Sequence, residues 1–131
     1  MGTILDTSVL IHAERRGLPL PFEGDDQLGI AAITASELLR GLLRADPANR
    51  ARREAVVEGW LARLETIPFG LTVARLHAQL WTDLESAGIL IGPADMQIAA
   101  TALTLGWSVA TLNVREFSRV PGLSVQALGR S

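Results

Sequence analysis

Cysteine and lysine are both absent from this chain of 131 residues, and the two absences remove several kinds of chemistry. Without cysteine there is no disulfide, no thiolate nucleophile and no cysteine zinc site. Without lysine there is no P-loop phosphate site and no Schiff-base chemistry. All twelve basic residues are arginine, so catalysis is left to carboxylates, hydroxyls, arginines and two histidines.

Long hydrophobic runs and a strong net charge are also missing. No apolar run reaches the roughly eighteen residues that a membrane span needs. The first residues, MGTILDTSVLI, lack the basic segment of a signal peptide, which predicts a cytoplasmic protein without a membrane anchor. The net charge of −2 argues against holding duplex nucleic acid by bulk electrostatics. Any nucleic-acid substrate would therefore need local attraction or a bound cation.

The composition is that of one globular domain, predicted to span residues 1–131. Strands are predicted over 2–5, 28–33, 66–69, 107–112 and 123–128. Helices are predicted over 7–16, 34–44, 48–65, 71–87 and 93–105, with a loop at 18–27 and a short turn or helix at 114–119. Because strands alternate with helices, the pattern predicts an α/β three-layer sandwich. Its central, mostly parallel sheet has four to five strands flanked by helices.

Three acidic residues stand near the starts of predicted helices, and each has a structural alternative. Asp6 directly follows the first strand, where it either caps the next helix or faces a site at the carboxyl end of the sheet. Glu37 stands three residues after Thr34, which is a capping-box spacing. Asp95 lies in a first helical turn, where the macrodipole favours an acid.

Convergence of these acids would have a chemical consequence. Carboxylates gathered without a cation repel one another, which raises their pKa values. A divalent cation relieves that repulsion, and oxygen ligands without cysteine select Mg²⁺ or Mn²⁺. Periodicity alone does not establish that the three side chains meet.

Four segments carry a resemblance when they are taken together: LDTSVLI at 5–11, ITASELLRGL at 33–42, PADMQIAATAL at 93–103 and TLNVREFSRVPGL at 111–123. In order and spacing they resemble the motifs of PIN-domain ribonucleases along nearly the whole chain. The small size and the last segment are similar to VapC-type toxins of type II toxin–antitoxin pairs. The resemblance implies that Asp6, Glu37 and Asp95 are catalytic and bind Mg²⁺ or Mn²⁺.

The fourth acidic position departs from the family pattern. Many PIN domains carry an aspartate where this chain has Asn113, so either Asn113 or the nearby acid Glu116 fills the position. We count Glu116 among the candidate catalytic residues and Asn113 as supporting, and one or two ions remain open. Thr7 and Ser8 are also supporting candidates, since they either cap the first helix or hydrogen-bond a carboxylate, a phosphate or a water on the ion.

The implied reaction is hydrolysis of single-stranded or structured RNA by metal-activated water. Arg40 and Arg44 are candidate RNA contacts; the alternative is that the arginines of this region form a solvated face paired with Glu54 and Glu58. His12 and His77 lie inside predicted helices, and structural roles are predicted for both.

The resemblance further implies a small antitoxin partner and a homodimer. Two other functions remain open: an RNA-processing PIN nuclease outside a toxin–antitoxin pair, and a non-catalytic PIN-like interaction module in which the acids only cap helices.

Overall fold

The computed structural model describes residues 2–21 and 27–128. Within these residues the strands are β1 (Thr3–Leu5), β2 (Leu28–Ala31), β3 (Glu65–Ile67), β4 (Ser108–Thr111) and β5 (Val125–Ala127). The helices are α1 (Thr7–Arg16), α2 (Ala32–Leu43), α3 (Pro47–Arg63), α4 (Leu71–Ser86), α5 (Pro93–Leu105) and α6 (Val114–Phe117). Every predicted strand and long helix is present, although the ends of most of them move by one or two residues.

The strands form one sheet in the order β3-β2-β1-β4-β5, and all four neighbouring pairs are parallel. The prediction of a mostly parallel sheet is confirmed, since every pair of neighbouring strands among the described residues is parallel. β1 lies at the centre, and the chain turns to one side of it for β2 and to the other for β4. Ligands of open α/β sheets bind at such a reversal of strand order, beyond the carboxyl ends of the strands.

Helices cover both faces of the sheet. Successive strand residues point to opposite faces, so each central strand contributes side chains to two cores. Ile4 and Val109 pack into a core formed with α4 and α5. Their neighbours Leu5 and Ala110 pack into a second core with α1, α2 and α3, which also contains Trp60. Both faces of the strands are therefore apolar, as expected for a buried parallel sheet.

Local signals explain where α1 ends but not where α2 begins. Gly17 closes α1 as predicted, with a φ of 63° that a residue with a side chain rarely adopts. Part of the predicted loop at 18–27, residues 22–26, lies outside the described residues. α2 begins at Ala32 rather than at Thr34, and its N-cap is Ala31 without any side-chain cap. The predicted capping box at Thr34 and Glu37 is therefore wrong.

No helix among the described residues combines the length and apolar character needed to cross a membrane.

Candidate active site

Asp6 lies immediately after β1 and is only 3% exposed. Its backbone N–H donates to Ala110 O at 3.0 Å, which extends the pairing of β1 with β4 by one residue. Its carboxylate Oδ2 accepts hydrogen bonds from the hydroxyls of Ser8 and Thr111, each at 2.7 Å. Asp6 occupies the N-cap position of α1, but its side chain caps no helical N–H. Of the two interpretations of Asp6, the structure favours a carboxylate held at the carboxyl end of the central strands over a helix cap.

Glu37 reaches the same edge from α2 and is held by a pair of threonines. The Thr7 hydroxyl donates to Oε1 of Glu37 at 2.7 Å, and the Thr7 and Thr34 oxygens lie 3.0 Å apart. A hydroxyl has one proton. The Thr7 hydroxyl is therefore shared between two acceptors, the carboxylate of Glu37 and the hydroxyl oxygen of Thr34. Thr34 is 0% exposed, so this chain of hydrogen bonds has a buried end.

Asp95, in the first turn of α5, forms a side-chain hydrogen bond with Glu116 of α6. A Cβ placed on Gly92 would lie 3.7 Å from Glu116 Oε1 and 3.8 Å from Asp95 Oδ2, so both carboxyl groups flank this glycine. The Gly92 N–H donates to Glu116 Oε1 at 2.8 Å. Asp95 and Glu116, from two separate helices, therefore form one carboxyl pair.

Asn113 supports that pair from its other side. Its amide Nδ2 donates to Glu116 Oε2 at 2.8 Å, and its backbone N–H donates to Thr111 Oγ1 at 2.8 Å. Thr111 in turn donates to Asp6. The alternatives at the fourth position are thus physically linked: Glu116 brings the charge, and Asn113 orients it and connects it to Asp6.

The ionisation of Asp95 reflects this crowding. Burial, followed by the hydrogen bond to Glu116, raises the pKa of the Asp95 carboxyl to about 7. The charges of Asp6, Glu116 and Glu37 contribute smaller parts of the same shift, in that order. The Gly92 N–H lowers the pKa of Glu116 below its ordinary value, although burial opposes the shift. When the pair holds a proton, the proton therefore resides mainly on Asp95, and it is lost around neutral pH.

The sequence-predicted acids come together, but they do not form a closed metal cage. The effects of Asp6 and Glu37 on Asp95 show that all of these carboxyl groups act on one region. Within residues 2–21 and 27–128, however, no three His, Cys, Asp or Glu side chains are grouped closely enough to hold an ion together. Any ion bound here is therefore held by fewer protein ligands in this arrangement of side chains.

Sequence reasoning missed two of the hydroxyls in this site. Thr111 ends β4 and orients Asp6, and Thr34 orients Thr7. Thr111 was within a recognised segment, and its place two residues before Asn113 at the end of a strand was an available signal. The spacing of Thr34 to Glu37 predicts only a helix cap. Because α2 starts at Ala32, the side chain of Thr34 instead lies inside the helix and meets Thr7.

The arginines of α3 form different ion pairs from those predicted for a solvated helix face. Arg52 and Arg53 of α3 form ion pairs with Glu14 of α1, at 3.6 and 3.2 Å, rather than with Glu54 and Glu58. Arg40 is exposed on α2, and Arg44 is exposed at the C-cap of the same helix. Both line a groove that begins at Thr7 and Glu37, so they lie beside the acids.

The aromatic contacts of His77 support its predicted structural role. Its ring centroid lies 5.3 Å from that of Phe69, edge to face, and 5.7 Å from that of Trp81. His77 therefore belongs to an aromatic cluster on α4.

The raised pKa of Asp95 gives a testable effect on stability without metal. A carboxyl with pKa about 7 in the folded chain and 3.8 as its ordinary value holds its proton more strongly when folded. Stability is then lost as the pH rises from about 4 to 7. We expect Asp95→Asn to stabilise the metal-free protein at pH 8 by about 1–2 kcal/mol, after discounting for solvent screening. The gain should vanish near pH 4.

Thermal unfolding in EDTA at both pH values measures this difference. Asp83→Asn, the same change at an exposed position of α4, is the matched control and should show no such pH dependence. Equal stabilisation of Asp95→Asn at pH 4 and pH 8 would contradict the assignment of the proton to Asp95.

Together the fold and the site define a class: a parallel α/β sandwich with acids and supporting hydroxyls at the carboxyl ends of its central strands. The sequence matches the family described as "PIN domain" over residues 3–123. It is 39% identical over 127 residues to "Ribonuclease VapC1" of Rickettsia felis, covering 95% of each chain. It is 36% identical over 97 residues to "tRNA(fMet)-specific endonuclease VapC" of Salmonella typhimurium, covering 74% of this chain and 72% of the relative.

Structural comparison gives the same result. The crystal structure titled "DNA bound VapBC from Salmonella typhimurium" contains a chain that matches with a TM-score of 0.87 and 30% identity, over 97% of this chain and 98% of that one. The chain therefore belongs to the PIN-domain family and, within it, to the VapC ribonucleases. The family and fold predicted from the four sequence segments are confirmed.

Proposed function

We propose that this protein is a Mg²⁺- or Mn²⁺-dependent endoribonuclease in which Asp6, Glu37, Asp95 and Glu116 form the active site. The observation that carries the proposal is the run of hydrogen bonds that links Asp6 through Thr111 and Asn113 to Glu116, which flanks Gly92 together with Asp95. A non-catalytic module whose acids only cap helices would not need Asp6 to be bound by hydroxyls on two different elements.

The residues of the site fit a hard divalent cation. The site offers carboxylate, amide and hydroxyl oxygens as ligands. A cation would also relieve the repulsion between carboxylates that contributes to the raised pKa of Asp95. Mg²⁺ commonly binds through one or two carboxylates, several waters and the substrate phosphate. Asp6 and Asp95 would hold the ion, with Glu37 and Glu116 at its margin. Among the residues that the structure describes, no three such ligands are grouped closely, which is compatible with an open site of this kind.

The residues of the chain then share the work of hydrolysis. When bound, a divalent cation would lower the pKa of a water molecule and neutralise the negative charge that builds up on the phosphoryl oxygens. Glu37, oriented by Thr7, accepts the proton of the attacking water. Ser8 and Thr111 keep the Asp6 carboxylate fixed, and Asn113 keeps Glu116 fixed. In-line attack by water leaves a 5′-phosphate and a 3′-hydroxyl.

Thr34 provides a test of how Glu37 is positioned. Thr34→Val keeps the size of the side chain but removes the hydroxyl that is hydrogen-bonded to Thr7. We expect about a tenfold loss in kcat with little change in KM, as is typical when the hydrogen-bond partner of an active-site group is lost. Thr34→Ser should recover most of the rate. If Thr34→Val lost only stability and kept kcat, the buried hydroxyl would not position Glu37.

The partners follow from the relatives. Related proteins have been solved as VapBC complexes, which supports a small antitoxin as the partner and a toxin role for this chain. We propose in addition that the protein forms a homodimer and acts in the cytoplasm. A neighbouring short antitoxin gene separates this role from that of an RNA-processing nuclease outside a toxin–antitoxin pair.

Cleavage mapping on cellular RNA tests the proposed activity. Wild type and Asp6→Ala are compared side by side, with Mg²⁺ and with EDTA, and the ends of the products are sequenced. We expect cleavage only by wild type with Mg²⁺, with 5′-phosphate ends. Because one relative is named a tRNA(fMet)-specific endonuclease, initiator tRNA is the first purified substrate to test. Products with a 2′,3′-cyclic phosphate would reject attack by water.

A further inference from the structure

The segment that joins α4 to α5 passes directly beside the pair formed by Asp95 and Glu116. Residues 89–92 of this segment have no regular secondary structure. Ile91 is buried in the core formed with α4 and α5, and Ile89 packs against the same core. Leu90, between them, is 83% exposed. Apolar packing therefore fixes the inner side of the segment but not its outer side.

Arg119 holds the outer side of this segment. It lies in the turn directly after α6, and its Nη2 donates a hydrogen bond to the carbonyl oxygen of Leu90. The turn itself is well anchored, because Phe117 and Val120 are 0% and 3% exposed. The backbone N–H of Arg119 also donates to Glu116 O at 3.2 Å. Arg119 therefore ties the outer side of the segment to a firmly packed turn.

A second hydrogen bond joins the same two parts of the chain in the opposite direction. The backbone N–H of Gly92 donates to Oε1 of Glu116 at 2.8 Å. We refer to the two hydrogen bonds, from Arg119 to Leu90 and from Gly92 to Glu116, as the α6 clamp. Only Ile91 separates the two backbone groups involved, and its side chain is buried. Fixing the carbonyl of Leu90 therefore restricts the direction of the Gly92 N–H.

We propose that Arg119 is a positioning residue of the active site, which keeps the Gly92 N–H directed at Glu116 and thereby holds Glu116 against Asp95. The inference rests on the proposed nuclease function. It adds a residue that acts on the acids through the backbone of a neighbouring segment. Asn113 holds Oε2 of Glu116, so the α6 clamp and Asn113 together fix both oxygens of that carboxylate.

Amide hydrogen exchange of the metal-free protein tests the clamp without any reaction. Arg119→Met removes the guanidinium but keeps an apolar stem. We expect the Gly92 amide to exchange at least about tenfold faster, as for a lost hydrogen bond to a charged group, while the amides of β1 and β4 keep their rates. Arg50→Met is the matched control. Arg50 is also exposed and donates to a backbone carbonyl, Leu43 O at 2.8 Å, but at the junction of α2 and α3.

Steady-state cleavage of RNA with Mg²⁺ tests the effect on catalysis. Arg119→Met should lower kcat about tenfold and leave KM within about twofold, as for loss of a group that orients an active-site residue. Arg119→Lys should recover most of the rate, because an ammonium group can still donate to Leu90 O. Arg50→Met should keep both kcat and KM. Circular dichroism should show all three variants folded.

Gly92 offers a second route to the same contact. Its φ of −56° is one that proline adopts, so Gly92→Pro removes the N–H without forcing the backbone. Gly92→Ala keeps the N–H, and its Cβ would meet Glu116 and Asp95 only at 3.7 and 3.8 Å. Gly92→Pro should be at least about tenfold slower in kcat than Gly92→Ala. Adding Arg119→Met to Gly92→Pro should cost less than about twofold more, because both changes break one clamp.

The outcomes separate this inference from the nuclease proposal. If wild type cleaves RNA but Arg119→Met changes KM and not kcat, Arg119 contacts the substrate, so the inference is wrong and the nuclease stands. It is equally wrong if Gly92 exchange in Arg119→Met stays at the wild-type rate, or if the losses of Arg119→Met and Gly92→Pro multiply in the double variant. If wild type cleaves no RNA, the proposed function fails, and a role of Arg119 in catalysis fails with it.

Discussion

Replacing Asp6 with asparagine is expected to slow RNA cleavage by at least about a thousandfold, which corresponds to about 4 kcal/mol of transition-state stabilisation. Asp6 is the most buried acid of the site. The amide oxygen of asparagine can still accept the hydrogen bonds of Ser8 and Thr111, so the local structure should persist. The substitution removes the charge that would bind the cation. Single-turnover cleavage of a purified RNA measures the loss.

Asp83→Asn is the matched control for this experiment. Asp83 is exposed on α4 and accepts a hydrogen bond from Gln79 at 2.9 Å, so the same chemical change is made far from the proposed chemistry. This control should cleave at the wild-type rate, and circular dichroism should show both variants folded. An Asp6→Asn protein that kept more than a tenth of the activity would show that another group binds the ion or that no ion is needed.

Addition of Mg²⁺ is expected to have the second large effect, on stability as well as on activity. A cation that binds only the folded chain, present at a hundred times its Kd, stabilises it by about 2.7 kcal/mol. For a domain of this size that corresponds to an increase in Tm of roughly 8 °C. EDTA should reverse the shift and abolish cleavage. Asp95→Asn should lose most of the shift, whereas Asp83→Asn should keep it.

Proton release gives an independent measure of the same event. Because the pKa of Asp95 is raised to about 7 without metal, Asp95 is mostly protonated at pH 6 and mostly ionised at pH 8.5. Binding of a cation should therefore release close to one proton at pH 6 and almost none at pH 8.5. Calorimetry in buffers of different ionisation enthalpy measures this number. Release that is the same at both pH values would mean that the ion does not bind at Asp95.

Much of the fold could be predicted from the sequence, because its determinants are local. Runs such as GTIL and LGIAAI are short, apolar and followed by helical periodicity, which is sufficient to predict a parallel sheet between two layers of helices. Asp6 could be placed at the carboxyl end of the sheet for the same reason, because it is the first polar residue after β1. Gly17 was recognisable as the end of α1 because a positive φ favours glycine.

The remaining features depend on contacts between distant segments. The capping-box prediction failed because α2 starts one half-turn earlier, which turns Thr34 inward to meet Thr7 of α1. The pairing of Asp95 with Glu116 depends on how α6 packs beside the start of α5. The hydrophobic periodicity of the sequence does not indicate how these two helices pack. The ion pairs of Glu14 with α3 were missed in the same way, since intrahelical partners for the arginines were closer in sequence.

The hydrogen bond from Thr111 to Asp6 joins positions that are 105 residues apart. During synthesis the first strand therefore leaves the ribosome with the Asp6 carboxylate but without β4, its neighbour on one side. At about 5–20 residues per second the missing partner follows only after some seconds. A nascent or prematurely ended chain carries an incomplete site, so a cell making such a nuclease is exposed to it only once nearly the whole polypeptide has been translated. A neutralising protein made at the same time has that interval in which to accumulate.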